Sequence, residues 1–308
     1  MIQAILGLWL VSALLVVFEG RIYRIIIYFG IFSLITSMAY LLLGAPDVAM
    51  AEAGISAFVT IFFIICIEKH YSCKDAGESK KRPLWRYVLP LSFCAGLLAL
   101  FLLHMPGYDA SAYLKYQFLY SFRADVGGEN AVTAIYLGYR VYDTLFEALI
   151  LVIAVVAVAH LSFFEGSTVQ NGRGSEVKSV GMAIFTMRFI TPLILVFGAY
   201  LVANGHITAG GGFQGGLAIA TFFICRYMSY DIYDISVHKV QRLEELVFIS
   251  IIAVTIFAVF LGAAAYMPTE LLPIYQDIYL IIMNFLIGVK VAAGFFVLFY
   301  RYIAIERG

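Results

Sequence analysis

In this chain of 308 residues, 63% are hydrophobic and 13% charged, and the mean hydropathy is +0.93. Soluble domains keep roughly half their residues apolar and a quarter charged, so the composition excludes that class and predicts an all-α, polytopic transmembrane helix bundle. The 20 basic and 20 acidic residues cancel, which gives no ground for nucleic acid or a polybasic lipid surface as partner.

A bilayer core about 30 Å thick is crossed by ~20 apolar helical residues. That rule divides the chain into about nine spans: Ile2–Phe18, Tyr23–Leu43, Val48–Ile67, Tyr87–His104, Val141–Phe163, Ala183–Ala203, Phe213–Tyr230, Leu243–Gly262 and Ile274–Tyr300. The first lacks a positive leader and a small-residue cleavage site, so it reads as a retained span. Basic residues concentrate in Glu68–Arg86, Glu165–Lys178, Ser229–Arg242 and Arg301–Gly308. Placing these inside, with Arg21 and Arg24, predicts an outside N-terminus and an inside C-terminus. The long outer stretch Met105–Arg140, rich in Tyr and Gly, suits a surface loop with an interfacial helix.

Ionisable groups inside a span are expensive, by about 2.5–3.5 kcal/mol at a helix centre, so each asks for a partner or a role. Asp47 follows Pro46 and suits a helix start, whereas Glu52 lies deeper, among Ala49, Ala51, Ala53, Gly54, Ser56 and Ala57. Small neighbours permit close helix approach or a wet crevice, leaving Glu52 open to ion transfer or to an inter-helix hydrogen bond. Asp143 and Glu147 share one helix face at i,i+4, with Arg140 a turn earlier. The pair suits cation binding or a proton relay, although Arg140 offers a plain neutralising partner for Asp143. Lys290 sits near the middle of the last span and requires a carboxylate or a wet passage, with Asn284 two turns before it. Were Lys290 to meet Glu52 or Glu147, a transmembrane charge pair would form, but the sequence alone does not show that contact. His104 and His160 fall near span ends, and Arg188 suits an end anchor.

The segment "GHITAGGGFQGG", Gly205–Gly216, contains GxGxxG at Gly210, Gly212 and Gly215, with Asp231 and Asp234 downstream. A dinucleotide fingerprint needs a strand entering the glycine turn of a soluble βαβ unit. Here apolar spans flank it, and the aspartates would lie across the membrane. The glycines Gly205, Gly210, Gly211, Gly212, Gly215 and Gly216 instead suit a tight turn and close helix packing. His206, Thr208 and Gln214 are placed to satisfy free helix-end groups or to line a wet cavity. Cys66, Cys73, Cys94 and Cys225 form no CxxC, and no Ser/His/Asp set, Walker loop or HExxH is present, so neither a metal site nor catalysis is expected.

"MRFITPLILVFGAYLVANG" followed by "GHITAGGGFQGGLAIA" resembles the B subunit of multisubunit Mrp-type Na+/H+ antiporters, which corresponds to the F subunit of membrane-bound hydrogenases. The match departs at Ala209, where the family usually has proline. "GAPDVAMAEAGISAF" resembles the segment that the C-terminal part of the antiporter A subunit shares with the D subunit of hydrogenases. "NAVTAIYLGYRVYDTLFEALIL" is similar to the part that follows, the E subunit of hydrogenases. The resemblance implies a fusion: a D-like segment over 1–86, an E-like one over 87–164, a linker over 165–182 and a B-like one over 183–308. With no long array of antiporter-like helices ahead of Gly44, the chain is similar to the arrangement in which a large antiporter-like subunit is separate.

The function so implied is that of a non-catalytic, multi-pass subunit in a prokaryotic cytoplasmic membrane, supporting Na+ and H+ translocation through Glu52, Glu147 and Lys290. Implied partners are a large antiporter-like subunit, other small Mrp-type membrane subunits and a peripheral redox module. No cofactor is expected in this chain; iron–sulfur clusters or a nickel-iron centre would belong to the partners. Two alternatives stand beside it: a passive scaffold joining proton- and sodium-handling modules, and a self-contained small-solute transporter, for which an inverted repeat is missing.

Overall fold

The computed structural model describes residues 2–70, 88, 92–96, 99–100, 103, 108–161, 181–229, 236–264 and 272–304. Its helices are α1 (Ile2–Phe18), α2 (Ile22–Leu42), α3 (Pro46–His70), α4 (Tyr108–Asp125), α5 (Ala131–Ala134), α6 (Val141–Leu161), α7 (Gly181–Asn204), α8 (Gly212–Ser229), α9 (Val237–Ala264) and α10 (Leu272–Ala304). A π-helical turn, Ile135–Tyr139, joins α5 to α6. No strand occurs among the described residues.

Among the described residues, six helices are long and apolar enough to cross a membrane: α2, α3, α6, α7, α9 and α10. Of the nine expected spans, α1 is a shorter apolar helix of 17 residues. α8, 18 residues long, starts on glycines and ends near Arg226, and it falls outside the six. Half of the expected span Tyr87–His104 lies outside the described residues, as do His104, Asp231, Asp234 and most of the linker 165–182.

α10 is the centre of the bundle. Of its span Tyr275–Arg301, 67% is buried inside the chain, against 11% to 22% for the other five. At 1.5 Å per residue its 33 residues extend about 50 Å, enough to pass the whole bilayer core. α6, α8 and α9 pack on it, α7 packs on α8, and α1, α2 and α3 form a consecutive layer whose α3 touches α8 and α10. The apolar core joins Phe58 of α3, Leu217, Ala220 and Ile224 of α8, Ile251 of α9, and Leu280, Met283, Ile287 and Val291 of α10.

Glycine sets the closest of these approaches. A β-carbon on Gly216 would lie 2.6 Å from the Gly288 carbonyl oxygen, and one on Gly198 would lie 3.0 Å from that of Gly215. α8 is thus clasped between α7 and α10 with backbone against backbone, the packing that membrane helices reach through small residues.

Candidate functional site

The turn between α7 and α8 forms a polar knot at one end of the bundle. Gly210 and Gly211 have φ of 152° and 147°, conformations that favour glycine, and a β-carbon on Gly211 would meet the Tyr136 hydroxyl. Two of the turn's N–H groups are taken by side chains from other helices, while that of Gly211 donates to the Leu201 carbonyl of α7. Gly210 N–H donates to Asp47 Oδ1 at 2.9 Å, and Gly212 N–H to Asn284 Oδ1 at 3.1 Å. A dinucleotide loop would keep such donors for pyrophosphate; here a buried aspartate and a buried asparagine hold them.

Asn130 closes the knot. Its Oδ1 accepts from the N–H groups of Val132 and Thr133, capping α5. Its Nδ2 lies within hydrogen-bond reach of Asp47 Oδ1 and of the carbonyls of Gly205 and Thr208, at 3.0, 3.2 and 2.9 Å. Gln214 Nε2 donates to the Asp47 carbonyl at 3.3 Å, and Thr133 Oγ1 to that of Gly205 at 2.6 Å. Asp47 is therefore both a residue of the first turn of α3 and the carboxylate that ties α3, α5 and the glycine turn together. Asn284 accepts from Tyr136 Oη at 2.9 Å on the other side, so it belongs to this knot. His206 joins through its backbone, accepting from the N–H groups of Glu129 and Asn130, while its ring Nδ1 is buried without a hydrogen-bond partner.

Lys290 finds the carboxylate it requires, and it is neither Glu52 nor Glu147. Its side chain is 0% exposed and lies 3.3 Å from Glu244 Oε1, whose side chain is 1% exposed. Nζ also donates to the Ala148 carbonyl of α6 at 2.5 Å and stands 5.9 Å from the centre of the Phe248 ring. Glu244 Oε2 has no hydrogen-bond donor. Glu244 escapes the sequence reading because the hydropathy rule starts this span at Leu243, leaving the glutamate at the water boundary. α9 in fact starts at Val237, which places Glu244 two turns inside the helix.

The remaining candidates stand apart from one another. Ser33 Oγ donates to Glu52 Oε1 across the α2–α3 contact, the inter-helix hydrogen bond foreseen as one of two roles. Arg140 pairs with Asp143 at an exposed position, which realises the neutralising partner. Glu147 is exposed on α6, next to the Ala148 whose carbonyl receives Lys290. Neither Cys94 nor Cys225 forms a disulfide, and no cluster of His, Cys, Asp and Glu suited to a metal ion occurs among the described residues. Sequence reasoning also passed over Asn130 and Tyr136; a π-helical turn between two helices, often a mark of a working position, has no sequence signature at this length.

Two family models match the chain. One, described as the D subunit of MBH, covers residues 7–71; the other, a domain related to the MnhB subunit of Na+/H+ antiporter, covers residues 182–297. A probable K(+)/H(+) antiporter A/B subunit of Rhizobium meliloti (strain 1021) is 25% identical over 247 residues, 69% of this chain and 24% of that protein. The putative antiporter subunit mnhA2 of Staphylococcus haemolyticus (strain JCSC1435) is 24% identical over 56% of this chain and 21% of its own. The chain thus spans about a quarter or less of these relatives. Among solved structures, the Mrp complex from Dietzia sp. DQ12-45-1b shares the fold, with a TM-score of 0.72 and 18% identity over 99% of this chain and 35% of that one. The archaeal membrane-bound sulfane sulfur reductase gives 0.51 and 26% identity over 69% and 94%.

Proposed function

We propose that this fusion of an MbhD domain and an MnhB-related domain, resembling the C-terminal part of an Mrp A subunit joined to a B subunit, is a membrane component of a multisubunit Na+/H+ antiporter or related respiratory complex. It contributes to ion translocation and makes no covalent chemistry of its own. The observation that carries the reading is the buried Lys290–Glu244 pair at the junction of α6, α9 and α10. Two charges held in a bilayer interior are costly, and an incompletely hydrogen-bonded pair is poor glue; its natural use is to hold and release a proton or to answer a passing cation.

Around that pair the chain keeps the topology inferred from its charges: nine spans, N-terminus outside, C-terminus inside, in a prokaryotic cytoplasmic membrane. Residues 87–164 act as the E-like segment, and Glu147 on the exposed face of α6 extends the line of ionisable groups from Lys290 toward a neighbouring subunit. Any redox centres, like the large antiporter-like component, belong to other chains. The scaffold reading keeps one supporting observation, the backbone-to-backbone clasp of α8.

The test is Na+-dependent H+ transport by the complete complex in sealed vesicles, comparing wild type with Glu244→Gln, Lys290→Met, Glu52→Gln and Glu147→Gln, with assembly verified for each. Loss of transport in an assembled Glu244→Gln or Lys290→Met complex supports translocation. Undiminished transport in all four variants leaves the scaffold.

A further inference from the structure

The α2–α3 contact carries a register of polar groups that helix packing alone does not explain. Gly30, Ser33 and Ser37 share one face of α2, and Ala49, Glu52, Ser56 and Thr60 recur every three or four residues along α3. Ser37 Oγ donates to the Ala49 carbonyl at 2.6 Å, Ser33 Oγ to Glu52 Oε1, and Ser56 Oγ to the Gly30 carbonyl at 3.2 Å. Ser33 and Ser56 are each 4% exposed. A β-carbon on Gly30 would lie 2.7 Å from Thr60 Oγ1, so the absence of a side chain brings that hydroxyl against the α2 backbone.

Two members of this seam are left wanting. Thr60 Oγ1 is buried with no hydrogen-bond partner, and a lone hydroxyl in that state is a net cost to packing. Glu52 has one donor, Ser33, and no basic group pairs with it among the described residues. A carboxylate with hydroxyl and carbonyl oxygens around it is the donor set of a hard cation. One carboxylate balances one positive charge, whereas a divalent ion would leave a net charge inside the bilayer. Hydroxyls turn their hydrogens aside to offer lone pairs, so the same rungs serve with or without an ion.

We propose that the α2–α3 seam binds a partly dehydrated monovalent alkali cation, charge-balanced by Glu52 and coordinated by the hydroxyls of Ser33, Ser56 and Thr60 and the carbonyl of Gly30. The site rests on the ion-translocation reading and adds to it a place where the cation stops within the D-like segment, apart from the Lys290–Glu244 pair.

The test is equilibrium binding of radioactive Na+ to the full-length chain in lipid nanodiscs, with K+ and Ca2+ as competitors, for wild type, Glu52→Gln, Ser56→Ala and Thr60→Val. Saturable binding displaced by K+ but not by Ca2+, abolished in Glu52→Gln and weakened about tenfold in Thr60→Val and Ser56→Ala, is the expected result. Thr60→Val keeps the shape and removes an oxygen that no protein group uses, so it decides the matter even where Glu52→Gln folds poorly. If the seam is packing glue, Thr60→Val leaves ion binding unchanged, and that outcome overturns the site, as does binding that survives Glu52→Gln or that prefers Ca2+. A complex that transports normally while its chain shows no saturable alkali-ion binding defeats the seam alone. Intact ion binding with transport indifferent to Glu244 and Lys290 defeats the functional reading alone.

Discussion

Removing one member of the Lys290–Glu244 pair should harm the protein more than removing both. At 3.3 Å and an effective dielectric of ~20, two unit charges attract by about 5 kcal/mol, an upper figure because both have left water. Lys290→Met leaves Glu244 buried beside Phe248 without its one cation, and Glu244→Leu leaves Lys290 with only the Ala148 carbonyl. Each single change is expected to cost about 3–5 kcal/mol, while the double variant Lys290→Met/Glu244→Leu, an apolar replacement of similar volume, should lie within about 2 kcal/mol of wild type. Thermal unfolding or denaturant titration of the four proteins in lipid nanodiscs gives the coupling energy. The double variant should also assemble yet fail in transport, separating what the pair does for stability from what it does for ions. Single variants as stable as wild type would refute the buried-pair reasoning, and a double variant that transports normally would remove the pair from the ion path.

Other positions give cleaner structural tests. Gly216→Ala forces a methyl to 2.6 Å from the Gly288 carbonyl and should cost about 1–3 kcal/mol in unfolding measurements, whereas Gly7→Ala, with open space around it, should be neutral or slightly stabilising. Asn130→Ala loses the α5 cap, about 1 kcal/mol, and strands part of the acceptor set at Asp47 and Gly205, about 1–3 kcal/mol more; faster proteolysis near Gly127–Gly128 would report it. Tyr139, outside the spans, donates to Asp125 at 2.5 Å; burial first, then this bond, push its hydroxyl up to about 12. The folded chain therefore holds this proton longer than the unfolded one, so the tie's stabilisation is complete below pH ~10 and is lost between ~10 and ~12. Protease resistance of α4 should fall across that window in wild type, and Tyr139→Phe should show no such step.

Fold class, the six strongest spans and the dismissal of the dinucleotide motif all follow from composition and local pattern, because a bilayer imposes one length and one polarity on every crossing helix. The glycine turn was legible for the same reason: only glycine fits Gly210 and Gly211, and local backbone chemistry says so without knowing the neighbours. Charge partners were not legible. Glu52 was given two roles by its sequence and took a serine on α2; Lys290 called for a carboxylate or a wet passage without the sequence saying which, and took Glu244. Glu244 and Lys290 are 46 positions apart, on helices whose rotation is set by where Gly216 lets α8 approach Gly288 and by which faces of α6 and α9 remain for α10. Depth in the membrane is written in the sequence one residue at a time, whereas the azimuth of each helix is fixed only when all of them pack, and buried charges are paired by azimuth.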